Sequence, residues 1–151
     1  IVILTPKGTK EISLIDFYTM PDKDLLVESV IKPNEIIIEI IVPSPIGNTK
    51  SVYLKQKELS SHDFAIVSAA IVLQMEGNKC KKANVVLGGV APIPWHSPET
   101  EKALEGKTIN EASAMLAAES ALAKAKPMTQ NRYKVPLAKT IIKRAILSLI
   151  A

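Results

Sequence analysis

With 151 residues, 47% of them hydrophobic and 23% charged, the chain is neither disordered nor fibrous, and it fits one ordinary domain or a small domain with an appendage. No apolar run approaches the roughly 20 residues that cross a bilayer, and no basic-then-apolar leader is read at the start. The net charge of +4 comes from lysines scattered in runs no longer than two; with aromatics at only 4%, this excludes the basic, aromatic-studded stripe of a nucleic-acid surface.

Residue 1 is Ile and the chain opens inside an apolar run, which reads as a strand cut from a longer protein. Residues 1–14 predict a hairpin, because Thr5-Pro6-Lys7-Gly8 places Pro and Gly where a type I turn favours them. A short polar and aromatic stretch follows, Asp16-Phe17-Tyr18-Thr19-Met20-Pro21. Residues 35–42 (EIIIEIIV) are too short and too rich in Ile for a helix and predict a strand buried on both faces. Pro43-Ser44-Pro45-Ile46-Gly47-Asn48 then breaks the pattern, giving a boundary between a unit of residues 1–48 and one of residues 49–151.

In residues 51–57, Val52, Leu54 and Gln56 alternate with Tyr53, Lys55 and Lys57, the period of a strand with one wet face. Ser60-Ser61-His62-Asp63 reads as a polar loop. Residues 64–75 form a long apolar run, predicted as a central strand that turns at residues 76–79 and returns over residues 80–90. Gly88-Gly89 permits a bend or a close backbone approach, and Ala91-Pro92-Ile93-Pro94 leaves the sheet.

Three helices are predicted next. The first has Ser97 as N-cap, Pro98 at the first helical position and acids in its first turn, and it ends at Gly106. The second starts with Thr108 and Glu111 at capping-box spacing, carries the stripe Ile109, Ala112, Met115, Leu116 and Leu122, and stops near Pro127. The third begins around Pro136, with Leu137, Ile141, Ile142, Ala145, Ile146 and Leu149 on one face. Strands first and helices later give an α+β fold, an antiparallel sheet of three to four strands covered on one face by about three helices.

The chemistry is sparse. Only His62 and His96 could join Cys80 and carboxylates in a metal site, without HxxxH or CxxC spacing, so no metal ligand is assigned. The one cysteine forms no internal disulfide and suits a reducing cytoplasm. Ser60, Ser61, His62 and Asp63 are the residue types of a hydrolase triad, but sequence neighbours rarely face one another as a triad requires. Gly88-Gly89 lacks the Lys-Ser or Lys-Thr of a Walker loop and the GxGxxG of a dinucleotide turn. No residue is assigned a catalytic role.

Four segments resemble the C-terminal domain of FAD-carrying (medium) subunits in the xanthine dehydrogenase and carbon monoxide dehydrogenase family of molybdenum hydroxylases. They are KQKELSSHDFAIVSAAIVLQM and LGGVAPIPW, then EKALEGK and NRYKVPLAKTIIKRAI, in that order. DFYTMP and KPNEIIIEIIVPSP resemble the tail of the preceding FAD-binding domain. The resemblance implies a carbon monoxide dehydrogenase flavoprotein C-terminal-domain-like fold. It further implies an oxidoreductase in which a large subunit holds a molybdopterin cofactor. Electrons would cross [2Fe-2S] clusters of a small subunit to FAD in this subunit, and then pass to NAD or another acceptor. The family's glycine-rich FAD pyrophosphate loops lie upstream of the matched region, so the 151 residues alone are expected to bind FAD weakly and to be inactive. By position, Lys55, His62, Asp63 and Phe64 are the cofactor-binding candidates: Lys55 as donor to a flavin carbonyl, Asp63 ordering the loop, Phe64 beside the ring. Tyr133 and Lys134 resemble a structural pair before the last helix. Family members often carry Arg where Leu59 and Ser60 stand, which leaves the acceptor open. The alternative reading is a non-catalytic module that docks partner subunits.

Overall fold

A computed structural model describes residues 1–59 and 62–150. Ser60 and Ser61, part of the predicted polar loop and of the hydrolase-like run, lie outside the described residues. The chain divides into two compact units, Ile1–Pro45 and Ile46–Ala151.

In the first unit, strand β1 (Val2–Thr5) pairs antiparallel with β2 (Gly8–Glu11), with Thr5 opposite Gly8 across the predicted turn. A single helical turn, α1 (Leu14–Phe17), follows where the sequence suggested only a polar and aromatic stretch. Strand β3 (Ile36–Glu39) joins the other edge of β1, giving the order β2-β1-β3. Lys10 Nζ donates to both carboxylate oxygens of Glu35 at 2.8 Å, and the Lys32 N–H adds a third bond. Lys10 therefore holds the Glu35 carboxyl below the ordinary carboxylate range. The expectation that residues 35–42 are buried on both faces is overturned: Ile36, Ile37 and Ile38 are all exposed. β3 is an edge strand, and a 45-residue unit whose buried apolar residues are Ile3 and Phe17 has no second layer to lay over it.

The second unit is built on a four-stranded antiparallel sheet, β4 (Thr49–Gln56), β5 (Val67–Glu76), β6 (Lys79–Gly88) and β7 (Trp95–His96), in that spatial order. The period-2 pattern determines its faces. Val67, Ala69, Ile71, Leu73 and Met75 of β5 and Cys80, Ala83, Val85 and Leu87 of β6 are buried on one side. A bulge opposite Gln74 and Met75 inserts one extra residue in β6, which lets Cys80 and Ala83, three apart, face the same way. Burial raises the Cys80 thiol to about 11.

Helices α2 (Pro98–Leu104), α3 (Glu111–Ala121) and α4 (Lys134–Ser148) complete the unit. α4 lies along β4 and β5, α2 along β6, and α3 packs on α2 and α4. The α4 residues Ala138, Ile141, Ile142, Ala145, Ile146 and Leu149 are buried, the three-and-four spacing of one helix face. Lys50 Nζ donates to the Leu149 carbonyl at 2.7 Å, placing a cation on the negative end of α4.

β7 is only two residues long, so most of the outer edge of β6 needs other partners. The polypeptide of α2 supplies them. Glu101 Oε1 accepts from Val85 N–H at 2.9 Å and also bonds His96 Nε2 at 2.7 Å; Glu105 Oε1 accepts from Ala83 N–H at 3.3 Å. The Cys80 N–H donates to the Lys107 carbonyl, and Gly106 N–H to the Cys80 carbonyl. Buried backbone donors are costly to leave unpaired, and an open edge invites pairing with another chain.

Three local expectations are corrected. The cap of α3 is Asn110, not Thr108: Asn110 Oδ1 accepts from Ser113 N–H and Ser113 Oγ accepts from Asn110 N–H. Asn110-Ser113 and Thr108-Glu111 have the same spacing, but Thr108 is held in a bridge to Lys79, so the helix starts later. The buried face of α3 is Ala114, Ala117 and Ala118, while Met115 and Leu116 are exposed. Small side chains let α3 approach two helices closely, and the larger ones turn outward. Ser97 does stand at the N-cap of α2, but its hydroxyl bonds Thr100 Oγ1 in the buried interior rather than a backbone N–H.

Candidate functional site at the β4–β5 corner

Antiparallel pairing places Lys55 opposite Ser68 and Gln56 opposite Val67. The connection from β4 to β5 is closed at its base by Ile66 N–H donating to the Gln56 carbonyl at 2.9 Å. Lys55 sits one residue before this closure, and the alternation of β4 turns it away from the helices. Its side chain is exposed, with no ion-pair partner among the described residues.

Asp63 orders the connecting loop. One carboxylate oxygen accepts from Phe64 N–H at 2.8 Å, and the other accepts from Leu59 N–H at 3.3 Å. The two arms of the loop are thus tied by one half-buried carboxylate, the local bonding for which Asp is favoured in turns. β5 begins at Val67, three residues later than the sequence pattern suggested, and leaves Phe64 outside the strand. Phe64 is 94% exposed. A core role for it is therefore ruled out.

Lys55, His62, Asp63 and Phe64 line one open concavity of about 500 Å³. The fold thus brings the four sequence candidates to one place. They present an ammonium group, an imidazole, a carboxylate already engaged with backbone, and an exposed aromatic ring. Such a wall suits a flat, partly polar group offering hydrogen-bond acceptors to Lys55 and a ring to Phe64. Among the described residues it supplies no helix N-terminus or glycine-rich turn for a pyrophosphate. Among the described residues no group of three or more His, Cys, Asp or Glu could hold a metal ion, and no helix is long and apolar enough to cross a membrane. His96, the other histidine, pairs with Glu101 away from this loop.

Two further residues shape the site that the sequence does not mark as site candidates. Leu59 supplies the second N–H to Asp63 and stands exposed on the loop. Gly89, where the sequence permits a bend or a close backbone approach, makes that approach: it carries φ of +73° and lies directly under the loop's return, where a Cβ would stand 2.6 Å from the Ile66 carbonyl oxygen. The only sequence signal for it is the Gly88-Gly89 pair at a strand end.

An antiparallel sheet backed on one face by helices, with an open polar corner on its first strand connection, defines an α+β domain. The CO dehydrogenase flavoprotein C-terminal domain matches residues 52–149, and the chain belongs to that family, the one the sequence resembles. The aldehyde oxidoreductase FAD-binding subunit PaoB of Escherichia coli is 34% identical over 137 residues, 90% of this chain and 40% of that subunit. The carbon monoxide dehydrogenase medium chain of Afipia carboxidovorans is 28% identical over 145 residues, 93% of this chain and 48% of that one. Among solved structures, a chain of the carbon monoxide dehydrogenase of Hydrogenophaga pseudoflava superposes with a TM-score of 0.87 at 25% identity, over 99% of this chain and 51% of its own. The chain thus spans 40–51% of the length of these relatives.

Proposed function

We propose that these residues belong to the FAD-carrying subunit of a molybdenum-containing hydroxylase, and that the Lys55–Phe64 corner forms the wall beside the flavin ring. The observation that carries the reading is the convergence of Lys55, His62, Asp63 and Phe64 on one concavity in a chain of this family. A bound FAD supplies electron transfer between the iron–sulfur clusters of a small partner subunit and NAD or another acceptor. The large partner subunit holds the molybdopterin cofactor and the substrate.

Within that frame each residue has a physical task. Lys55 donates a hydrogen bond to a ring carbonyl and favours negative charge as the ring is reduced. Asp63 fixes the loop through its two backbone bonds. Phe64 gains burial against the ring; fully covering a Phe side chain is worth about 1.5–3 kcal/mol. His62 lines the rim of the concavity. The fit extends to the ring end of FAD, and the pyrophosphate contacts fall to residues of the intact subunit beyond this stretch. The first unit is then the tail of the FAD-binding domain. Its exposed isoleucines support this, because apolar side chains are stabilised by burial against more protein.

The test is kinetic. In the intact subunit, Lys55→Ala slows flavin reoxidation by about tenfold or more while FAD affinity changes by less than about threefold. Unchanged reoxidation removes Lys55 from the site, and an intact subunit that binds no flavin removes the function.

A further inference from the structure

The concavity is only as well placed as the loop that carries Asp63 and Phe64, and the bare backbone of Gly89 lies against that loop's return. Gly89 follows β6 directly and adopts φ of +73°. The carbonyl oxygens of Ala65 and Ile66 lie over it, at 3.1 Å and 2.6 Å from where a Cβ would stand. Those atoms belong to the loop's return into β5, so they cannot swing aside as the tip of a side chain could. The neighbouring Gly88 is less constrained. A Cβ there would collide with Ser68 Oγ, which one side-chain rotation can move. From below, Lys134 of α4 donates from Nζ to the Gly89 carbonyl at 3.0 Å, fixing the peptide on which the loop rests.

We propose that Gly89 is a positioning residue for the site: its bare backbone, anchored by Lys134, seats residues 65–66 and thereby sets where Asp63 and Phe64 stand relative to Lys55. The inference rests on the flavin-wall reading above. A glycine is required twice here, because L side chains rarely adopt this φ and because no Cβ fits. Gly77, in the β5–β6 turn, has φ of +57° but open space around it. It shares the backbone cost without the loop contact and serves as the control.

Two arms test the proposal. In the 151-residue chain, amide hydrogen exchange at Phe64 and Ile66 is compared among the parent, Gly89→Ala, Gly77→Ala and Lys134→Met. Gly89→Ala is expected to raise exchange at both amides by on the order of tenfold, Lys134→Met by a few-fold in the same direction, and Gly77→Ala to leave them unchanged. In the intact flavin-loaded subunit, Gly89→Ala and Lys134→Met are expected to change flavin reoxidation, and Gly77→Ala to leave it at the parent rate. Equal exchange in the Gly89 and Gly77 variants overturns the proposal, and so does faster loop exchange with unaltered reoxidation. If Gly89→Ala does not fold, Lys134→Met decides on the same criteria. If the parent intact subunit holds no flavin, the proposed function falls, while the exchange arm still judges whether Gly89 positions the loop.

Discussion

Glu101→Ala should destabilise the second unit by more than its partly exposed position suggests. The carboxylate stands in for a missing strand: Oε1 accepts the N–H of Val85, a fully buried core residue, at 2.9 Å, and bonds His96 of β7 at 2.7 Å. Truncation to Ala leaves Val85 N–H without its acceptor, which costs about 1–3 kcal/mol for a buried backbone donor. It also frees His96, whose side chain is more than a third exposed, so that pair adds well under about 1 kcal/mol. The expected total is about 2 kcal/mol, or a fall in Tm of roughly 10 °C for a unit of this size. Glu101→Gln keeps an oxygen facing Val85 and should cost less than about half as much. The chain has one tryptophan, Trp95, next to His96 in the same unit. Urea unfolding followed by its fluorescence therefore reports on this unit. A cost for Glu101→Ala below about 0.5 kcal/mol, or equal costs for the Ala and Gln variants, would refute the assignment of Glu101 as the edge partner of β6.

Asn110→Ala removes the reciprocal cap of α3 and should cost about 1 kcal/mol in the same unfolding assay, whereas Thr108→Ala should cost clearly less. The Glu35 carboxyl is held low by Lys10, so the contribution of this pair is present above the ordinary carboxylate value and is lost as pH falls through the lowered one. A carbon-13 titration of Glu35 should show its midpoint rising towards the ordinary value in Lys10→Met, and an unmoved midpoint would remove Lys10 as the cause. The Cys80 thiol, fully buried and raised to about 11, should resist iodoacetamide at pH 8 in the folded chain and react readily in urea, as read by mass spectrometry.

Much of the second unit was legible from pattern. The β5–β6 hairpin, the half-wet β4 and the apolar face of α4 each repeat at the period of their own element, and a period is a local property of sequence. The four candidates at the β4–β5 corner were named from family resemblance, and the fold sets them on one concavity. The failures share a cause. β3 has the composition of a buried strand, yet burial depends on what else is present to cover it. In α3, hydrophobicity pointed to Met115 and Leu116, but the spacing between three helices selected alanines. The apolar neighbours of residue 64 predict a strand there, while Phe64 N–H is taken by the Asp63 carboxylate, β5 starts at Val67, and Phe64 is left out in the open.

By itself, then, the sequence determined which segments become the long strands and the helices of the second unit, though not the short β7, and which family they belong to, because periodicity and motif order are carried along the chain. Only the tertiary structure decided that Glu101 completes the edge of β6, that Asp63 ties Leu59 to Phe64, and that Gly89 bears the weight of a loop more than twenty residues away in sequence. Each of these is a matter of hydrogen-bond satisfaction or steric room, and both are defined by which distant atoms arrive at the same place.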